Sequence, residues 1–379
     1  MLKRAVAYID LDAIYQNIAG IKAFVGDTTK VLAVVKADAY GHGSIPVSKT
    51  ALKAGASMLG VATVSEGIEI QEGGVKAPIL VLGPPVYEDC KQAIEREIRI
   101  CAFTLGHMQF LSHIAKKLGK KAILHIKIDT GMGRIGVAHE EEFREILEWI
   151  QREPLLELEG IFTHFSDADN VDKSYTLWQN EQFERYIAIA HEMGFTPIVH
   201  ASNSPATLDL PQLRYDYVRA GIAIYGCYPA RETSRQVRLT PALSFKSFVI
   251  HLKQIQKGQS ISYGRTFVAP EDMVVATVPV GYGDGYKRIL SNRADVLICG
   301  KRARVLGNVC MDQMIVDVTH IPEVAHGSEV VMIGKQGGEE ITADELAELA
   351  QTINYEILLS ISKRVPRVYL QGGEQTEQV

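Results

Sequence analysis

No stretch of the 379-residue chain approaches the roughly 20 consecutive apolar residues needed to span a bilayer, which argues against a membrane-spanning helix. No long apolar segment follows the basic opening residues, so no secretory leader is read and a cytoplasmic protein is expected. Cysteine is scarce: Cys90, Cys101, Cys227, Cys299 and Cys310 are scattered, odd in number and without a CxxC pair. They read as reduced thiols filling space rather than a disulfide framework. The 11 histidines include no HExxH, and none stands at zinc-ligand spacing from a cysteine, so no metal site is expected. A net charge of -5 leaves no basic footprint for nucleic acid. There is no solenoid repeat.

What is present is ordinary for a soluble globular protein: 46% hydrophobic and 22% charged residues, in a chain long enough for two domains. Eight strand candidates follow one another: Val31–Val35, Ser57–Ala62, Ile79–Leu82, Ile98–Phe103, Ala122–Ile128, Leu158–Thr163, Pro197–His200 and Asp216–Arg219. Amphipathic segments such as Ser44–Ala54, Leu105–Leu118, Glu140–Gln151 and Ser174–Met193 separate most of them. This is the rhythm of an α/β chain whose N-terminal part is a (β/α)8 TIM-like barrel. An open doubly wound sheet is the other reading, but no GxGxxG follows the first strand. The strand at residues 5–10 is one too many for the barrel and is expected to pair outside it, with the C-terminal domain. Past the polar segment Arg231–Arg238, short β-rich runs punctuated by glycine indicate a mainly β C-terminal domain. The expected division is residues 1–235 and 236–379. Thr342, with Glu345 three residues on, predicts a capping box at the start of a helix over 342–352.

The stretch VLAVVKADAYGHG, residues 31–43, carries the strongest chemical signal. A wholly apolar strand ends at Lys36, and small or turn-forming residues follow through Gly43. In parallel α/β folds that strand end is where ligands bind. A lysine there is either a solvated strand-end residue or, with a pKa lowered by burial, a Schiff-base former. Other strand ends also carry functional groups. Asp129-Thr130-Gly131-Met132-Gly133-Arg134 is a flexible loop whose arginine could grip a carboxylate or form a surface ion pair. Thr163-His164 reads as a hydrogen-bonded packing histidine. In His200-Ala201-Ser202-Asn203-Ser204, Asn203 and Ser204 can cap the next helix, and Gly221 lets backbone N–H groups approach an anion. Gly281–Tyr286 is glycine-rich but lacks the Walker lysine.

Taken together, residues 31–43, the loop matching DTGMxRxG, the HxANSxA-like segment and Ser262-Tyr263-Gly264-Arg265-Thr266-Phe267 resemble the alanine racemase family over nearly the whole chain. The resemblance implies a homodimeric enzyme that interconverts L- and D-alanine on pyridoxal 5'-phosphate (PLP) and supplies D-alanine for peptidoglycan. It makes Lys36 the residue that carries PLP. Tyr40, Ser204, Gly221, Ile222 and Tyr355 would serve the phosphate and Arg219 the pyridine nitrogen, with His164 between that arginine and the catalytic tyrosine. Lys36 and Tyr263 would be the two bases, Tyr263 reaching the site of the partner subunit. Arg134 and Met311 would meet the substrate carboxylate, and Tyr282 and Asp312 would line the mouth of the site. Lys127 matches a lysine that is carbamylated in some family members and steadies the arginine of the loop. A racemase for another amino acid, a decarboxylase on the same architecture and a barrel-type PLP carrier are the rival readings. The carrier lacks a β domain, and the decarboxylase puts a cysteine in the tyrosine role.

Overall fold

The computed structural model describes residues 4–376. Residues 1–3 and 377–379 of the two expected domain ranges lie outside them. The described chain forms two compact units. One consists of Ala13–Ala39 and Gly43–Thr240; the other gathers the chain up to Asp12, Tyr40–His42 and the chain from Pro241 onward.

Strand β1 (Val6–Asp10) belongs to the second unit. The next eight close into a parallel barrel: β2 (Lys30–Val34), β3 (Ala56–Val61), β4 (Ile79–Val81), β5 (Arg99–Ala102), β6 (Ala122–Lys127), β7 (Leu156–Phe162), β8 (Ile198–His200) and β9 (Tyr217–Ala220). The eight predicted strands therefore form the expected barrel, each within two residues of its predicted ends. The ring closes through β2 on β9, with Leu32 opposite Arg219. Most of the strands are largely apolar runs because both their faces are buried, one against helices and one in the barrel interior; β7, with Glu157 and Glu159 in its first half, is the exception. Helices Ser44–Lys53, Leu105–Leu118, Glu140–Arg152 and Ser174–Glu192 match the amphipathic segments, and two shorter ones, Val64–Glu72 and Tyr87–Glu95, lie between the early strands.

In the second unit the strands are β10 (Leu243–Phe248), β11 (His251–Ile255), β12 (Ser260–Ile261), β13 (Phe267–Val268), β14 (Met273–Val278), β15 (Asp295–Ile298), β16 (Lys301–Leu306), β17 (Met314–Asp317), β18 (Glu329–Gln336), β19 (Glu339–Ile341), β20 (Arg367–Gln371) and β21 (Glu374–Gln375). Among the described residues, 11 strands make one sheet and β12–β13 a separate ribbon. β1 lies between β10, antiparallel to it, and β20, parallel to it. The helix Ala343–Ala350 is capped by the Thr342 hydroxyl, but the predicted box is incomplete. The Glu345 carboxylate goes to Arg302 instead, at 2.6 and 3.1 Å, because a charged partner outcompetes a backbone N–H.

One local structure departs from expectation. Residues 37–43 are not an ordinary turn. Ala37, Asp38, Ala39 and Tyr40 all have φ between 52° and 53°, followed by Gly41 at 80°, so Lys36–Gly41 is a left-handed helical turn. That conformation costs L-residues about 1–2 kcal/mol each. Hydrogen bonds hold it: Ala37 N–H donates to Glu66 Oε1 at 2.7 Å, Ser44 N–H to Asp38 Oδ1 at 2.8 Å and Ala39 N–H to Val35 O at 2.9 Å. Gly41 is needed for space as well as for φ. A Cβ there would stand 3.1 Å from Leu358 O, and Arg367 Nε donates to the Gly41 carbonyl at 3.0 Å.

Gly285 gives a test of how tightly the second unit is built. Its φ is +104°, and a Cβ would lie 2.0 Å from Ser360 O. Gly285→Ala is expected to destabilise the chain by about 2 kcal/mol or more, combining left-handed strain with backbone overpacking, as read from the urea midpoint at unchanged m-value.

Candidate active site

In the barrel unit, the predicted residues collect where the strands end. Lys127 is the last residue of β6, Arg219 the third of β9, and Lys36, His164 and Ser204 stand one or a few residues beyond β2, β7 and β8. Arg219 is the most constrained of them. Its side chain is buried in the barrel interior. Nη1 donates to His200 O at 3.0 Å and to His200 Nδ1 at 3.1 Å. Nη2 donates to Ala201 O at 2.7 Å, Thr163 O at 2.8 Å and His164 Nδ1 at 3.1 Å. The four Nη hydrogens are thus spent on five acceptors, while Nε makes no hydrogen bond among the described residues.

Burial, with this cation among the charges, sets the protonation of its neighbours. Burial, then Arg219, Lys127, Arg134 and Lys36, hold the His164 imidazole well below its usual range, so it is neutral. Burial, then His125, Arg219 and Lys127, do the same to His200. Lys127 is 3% exposed, and its Nζ lies 5.1 Å from the centroid of the Phe162 ring. Burial and Arg219 push its amine down to about 7. The Lys36 amine is lowered by burial and by Arg134, against the opposing pull of Glu66. Two lysines in one site are therefore biased toward free base, the form in which an amine is a nucleophile.

Arg134 stands in the loop after β6. Asp129 Oδ1 accepts from the N–H groups of Gly131 and Gly133, each at 3.0 Å, and glycines 131, 133 and 136 all have positive φ. Arg134 forms no ion pair among the described residues, so the surface-bridge reading of that arginine finds no partner. On the other side, Asn203 alone caps the helix Ser204–Asp209, accepting from Ala206 N–H. Ser204 does something else: its Oγ accepts from Gly221 N–H at 2.9 Å and from Ala223 N–H at 3.4 Å. The hydroxyl hydrogen is then left to donate outward. Ile222 opens the short 3-10 segment that follows Gly221. A reactive amine, a polarised hydroxyl among backbone N–H groups and an arginine with one N–H to spare form a donor set suited to an aldehyde, a phosphate and a ring nitrogen, the three handles of PLP.

The remaining predicted residues belong to the second unit. Tyr40 and Tyr355 stand with ring centroids 5.9 Å apart, and burial pushes the Tyr40 phenol up to about 12, so it remains a hydrogen-bond donor. Tyr263 is 73% exposed, on a turn where Ser262, Gly264 and Arg265 all have positive φ. Asn308 Nδ2 holds the Tyr263 carbonyl at 2.7 Å, and the Ser262 hydroxyl donates to Asn308 O at 2.5 Å. Tyr282 and Met311 lie on two loops stitched by Tyr282 N–H to Cys310 O at 3.0 Å and Gly283 N–H to Met311 O at 2.8 Å. Asp312 and the nearly buried Asp284 are bridged by Arg364, at 2.7 and 2.8 Å, and by Arg4. The hydrogen bond from Arg364 keeps the Asp312 carboxyl below the usual carboxylate range.

Several residues of consequence escaped sequence reading. Glu66 ties the residue after Lys36 to the start of the Val64–Glu72 helix, accepting from Ala37, Ala62 and Thr63. Its signal was a Thr63–Glu66 capping box. His125 and Glu159 lie inside β6 and β7, and His125 shares a strand face with Lys127 two residues on. Cys299 is exposed, contrary to the expectation that all five thiols are buried filler, because it sits at the turn between β15 and β16. No helix among the described residues is long and apolar enough to cross a membrane, and no cluster there groups three metal-ligating side chains.

Comparison with known proteins places this geometry. The model of the alanine racemase N-terminal domain matches residues 9–229, and that of the alanine racemase C-terminal domain matches residues 242–369. An alanine racemase of Clostridium perfringens is 44% identical over 371 residues, 97% of this chain and 96% of that protein. The structure of an alanine racemase of Clostridium difficile 630 superposes with a TM-score of 0.95 at 40% identity, covering 100% of this chain and 98% of that one. That of an alanine racemase from Bacillus anthracis with bound L-Ala-P gives 0.94 at 40% identity, covering 100% and 97%.

The lowered amine of Lys127 predicts a pH signature. A lysine whose folded pKa lies below its ordinary value penalises the folded state. The penalty is complete below about pH 7, recedes as pH rises, and is gone above the ordinary lysine pKa of about 10.4. In bicarbonate-free buffer, Lys127→Met is expected to be more stable than the unaltered chain at acid pH, with the difference vanishing near that upper pKa. Chemical unfolding of both across the pH range checks it.

Proposed function

Since the chain belongs to the alanine racemase family, matched across both of its domains, we propose that it interconverts L- and D-alanine on PLP by a two-base mechanism. The observation that carries the reading is Lys36: a barrel-strand lysine with a lowered pKa, beside Arg219 and Arg134. PLP, when bound, lends its ring as a sink for the electron pair left when the α-proton departs.

Lys36 would attach the cofactor. Ser204, Gly221, Ile222, Tyr40 and Tyr355 would hold the phosphate as hydroxyl and N–H donors, and Arg219 would offer Nε–H to the pyridine nitrogen. Arginine stays protonated at physiological pH and does not hand that nitrogen a proton. By withholding that proton Arg219 would leave the α-carbon to be reprotonated quickly, which would favour racemisation over transamination. His164 holds Arg219 from the other side as a neutral acceptor. Lys36 Nζ carries the proton on the face of the D-isomer and the Tyr263 phenol on that of the L-isomer. Arg134 and Met311 orient the substrate carboxylate, and Tyr282 and Asp312 line the mouth. The exposure of Tyr263 supports a homodimer in which this residue serves the partner's site. A cytoplasmic enzyme supplying D-alanine to peptidoglycan completes the reading. Lys127, close to neutral beside two guanidinium groups, is suited to take up carbon dioxide as a carbamate, its free amine losing one proton and passing from neutral to a negative charge that faces Arg134.

The deciding assay is chiral analysis of L-alanine incubated with the protein and PLP in deuterium oxide. D-alanine carrying α-deuterium is expected; carbon dioxide release, or turnover only of another amino acid, would replace the reading. Tyr263→Phe should lower kcat by about 10²–10⁴, and a wild-type rate would end the two-base assignment. Intact-mass measurement of the native protein should find one carbon dioxide added per chain, absent from Lys127→Ala. Sedimentation should give a dimer as the active species.

A further inference from the structure

Beyond Arg219 runs a chain of polar side chains, buried at its two histidines and half-buried at Glu159 and Arg99. His200 Nδ1 meets Arg219 Nη1 at 3.1 Å. His200 Nε2 lies 2.8 Å from His125 Nδ1, and His125 Nε2 lies 2.9 Å from Glu159 Oε2. Arg99 closes the chain, donating Nε to Glu159 Oε2 and Nη2 to Oε1, each at 3.0 Å. Both imidazoles are essentially inaccessible to solvent. The backbone makes room for them. β6 and β7 slip register between Leu124 and His125, so that Leu124 faces Leu158 and His125 faces Gly160, leaving Glu159 as the extra, bulged residue. Gly160 has no Cβ; one would lie 2.4 Å from His125 Nδ1.

The two ends fix every proton between them. A guanidinium only donates and an ionised carboxylate only accepts. His200 Nδ1 must therefore be bare to accept from Arg219, which puts the His200 proton on Nε2. That proton needs a bare His125 Nδ1, which puts the His125 proton on Nε2, facing Glu159. Any other tautomer, or a second proton on either ring, sets two donors against each other at some link. The charge states agree. Burial alone would raise the Glu159 carboxyl, but hydrogen bonds from His125 and Arg99 outweigh it and bring it down to about 2. His125 is held below its usual range by burial, against the pull of Glu159.

We propose that Glu159 and His125, with Arg99 as anchor, are positioning residues for Arg219: from within the barrel they dictate the His200 tautomer and so keep His200 Nδ1 an acceptor for the guanidinium. The proposal rests on the reading of Arg219 as the residue facing the cofactor ring. Losing this polarity places a His200 N–H against the Arg219 N–H at 3.1 Å and turns the guanidinium plane whose Nε–H is directed at that ring.

The test is ¹⁵N NMR of the imidazole nitrogens in histidine-labelled, PLP-loaded protein, with His125→Phe and His200→Phe used for assignment. Both rings are expected neutral, with the proton on Nε2, from pH 6 to 9. A proton on Nδ1 of either ring, or titration of either within that range, overturns the proposal whatever the variants do. In Glu159→Leu neither Arg99 nor His125 keeps its acceptor, so the His125 proton is no longer held on Nε2 and the His200 signals should move toward the other tautomer. Racemisation kcat should fall about tenfold, the kinetic equivalent of one charge-assisted hydrogen bond, with KM for alanine little changed. An unchanged His200 pattern in folded Glu159→Leu, or unchanged kcat with a changed pattern, also refutes it. Should the protein racemise nothing, the activity reading fails on its own, while the ring-nitrogen pattern is still read on the same sample.

Discussion

A charge placed inside a barrel of apolar strands costs several kcal/mol unless its donors are met. Arg219 meets that condition with three carbonyl oxygens and two imidazole nitrogens, from His200 at the end of β8 and from residues just beyond β7 and β8. Much of the barrel unit's site chemistry follows from this arrangement. The carbonyls are available because the strands stop pairing there and the chain turns outward. Toward Arg219 the imidazoles serve as neutral acceptors, and burial, with the guanidinium among the nearby charges, keeps them neutral. The same charge pushes Lys127 toward neutrality and contributes to lowering Lys36. Burial, with this cation and Arg134 beside it, thereby biases two amines toward the free base, a form an exposed lysine seldom takes at neutral pH.

The backbone is under tension where the reactive groups sit. Lys36 opens a left-handed turn of residues that would ordinarily avoid it, and Tyr263 lies on a turn with three positive-φ residues. Such conformations persist only where surrounding bonds over-determine them. Glu66, Asp38 and the Val35 carbonyl hold the first; Asn308 holds the second. Both side chains are presented on backbones with little freedom to drift.

Much of this was legible in the linear chain. The strand–helix alternation could be read because both periods are local, and Lys36 and Arg134 stood out because each sits beside small or turn-forming neighbours, whereas the roles expected of Ser204 and Tyr263 came from the family resemblance. The capping box at Thr342 was half right: the hydroxyl caps, but Glu345 answers to Arg302, 43 residues away. Glu159 and His125 were silent. Each lies inside a strand, and the bulge that turns Glu159 inward is a mismatch between two strands that neither reveals alone.

The sequence by itself determined where the strands run, where they stop and which groups stand at their ends, because those properties depend on residues within a few positions of each other. The tertiary structure decided which histidines are neutral, which lysines are poised to lose a proton and which way the hydrogen bonds behind Arg219 point. Those properties depend on distances of about 3 Å between residues as many as 75 positions apart, brought together by closure of the barrel.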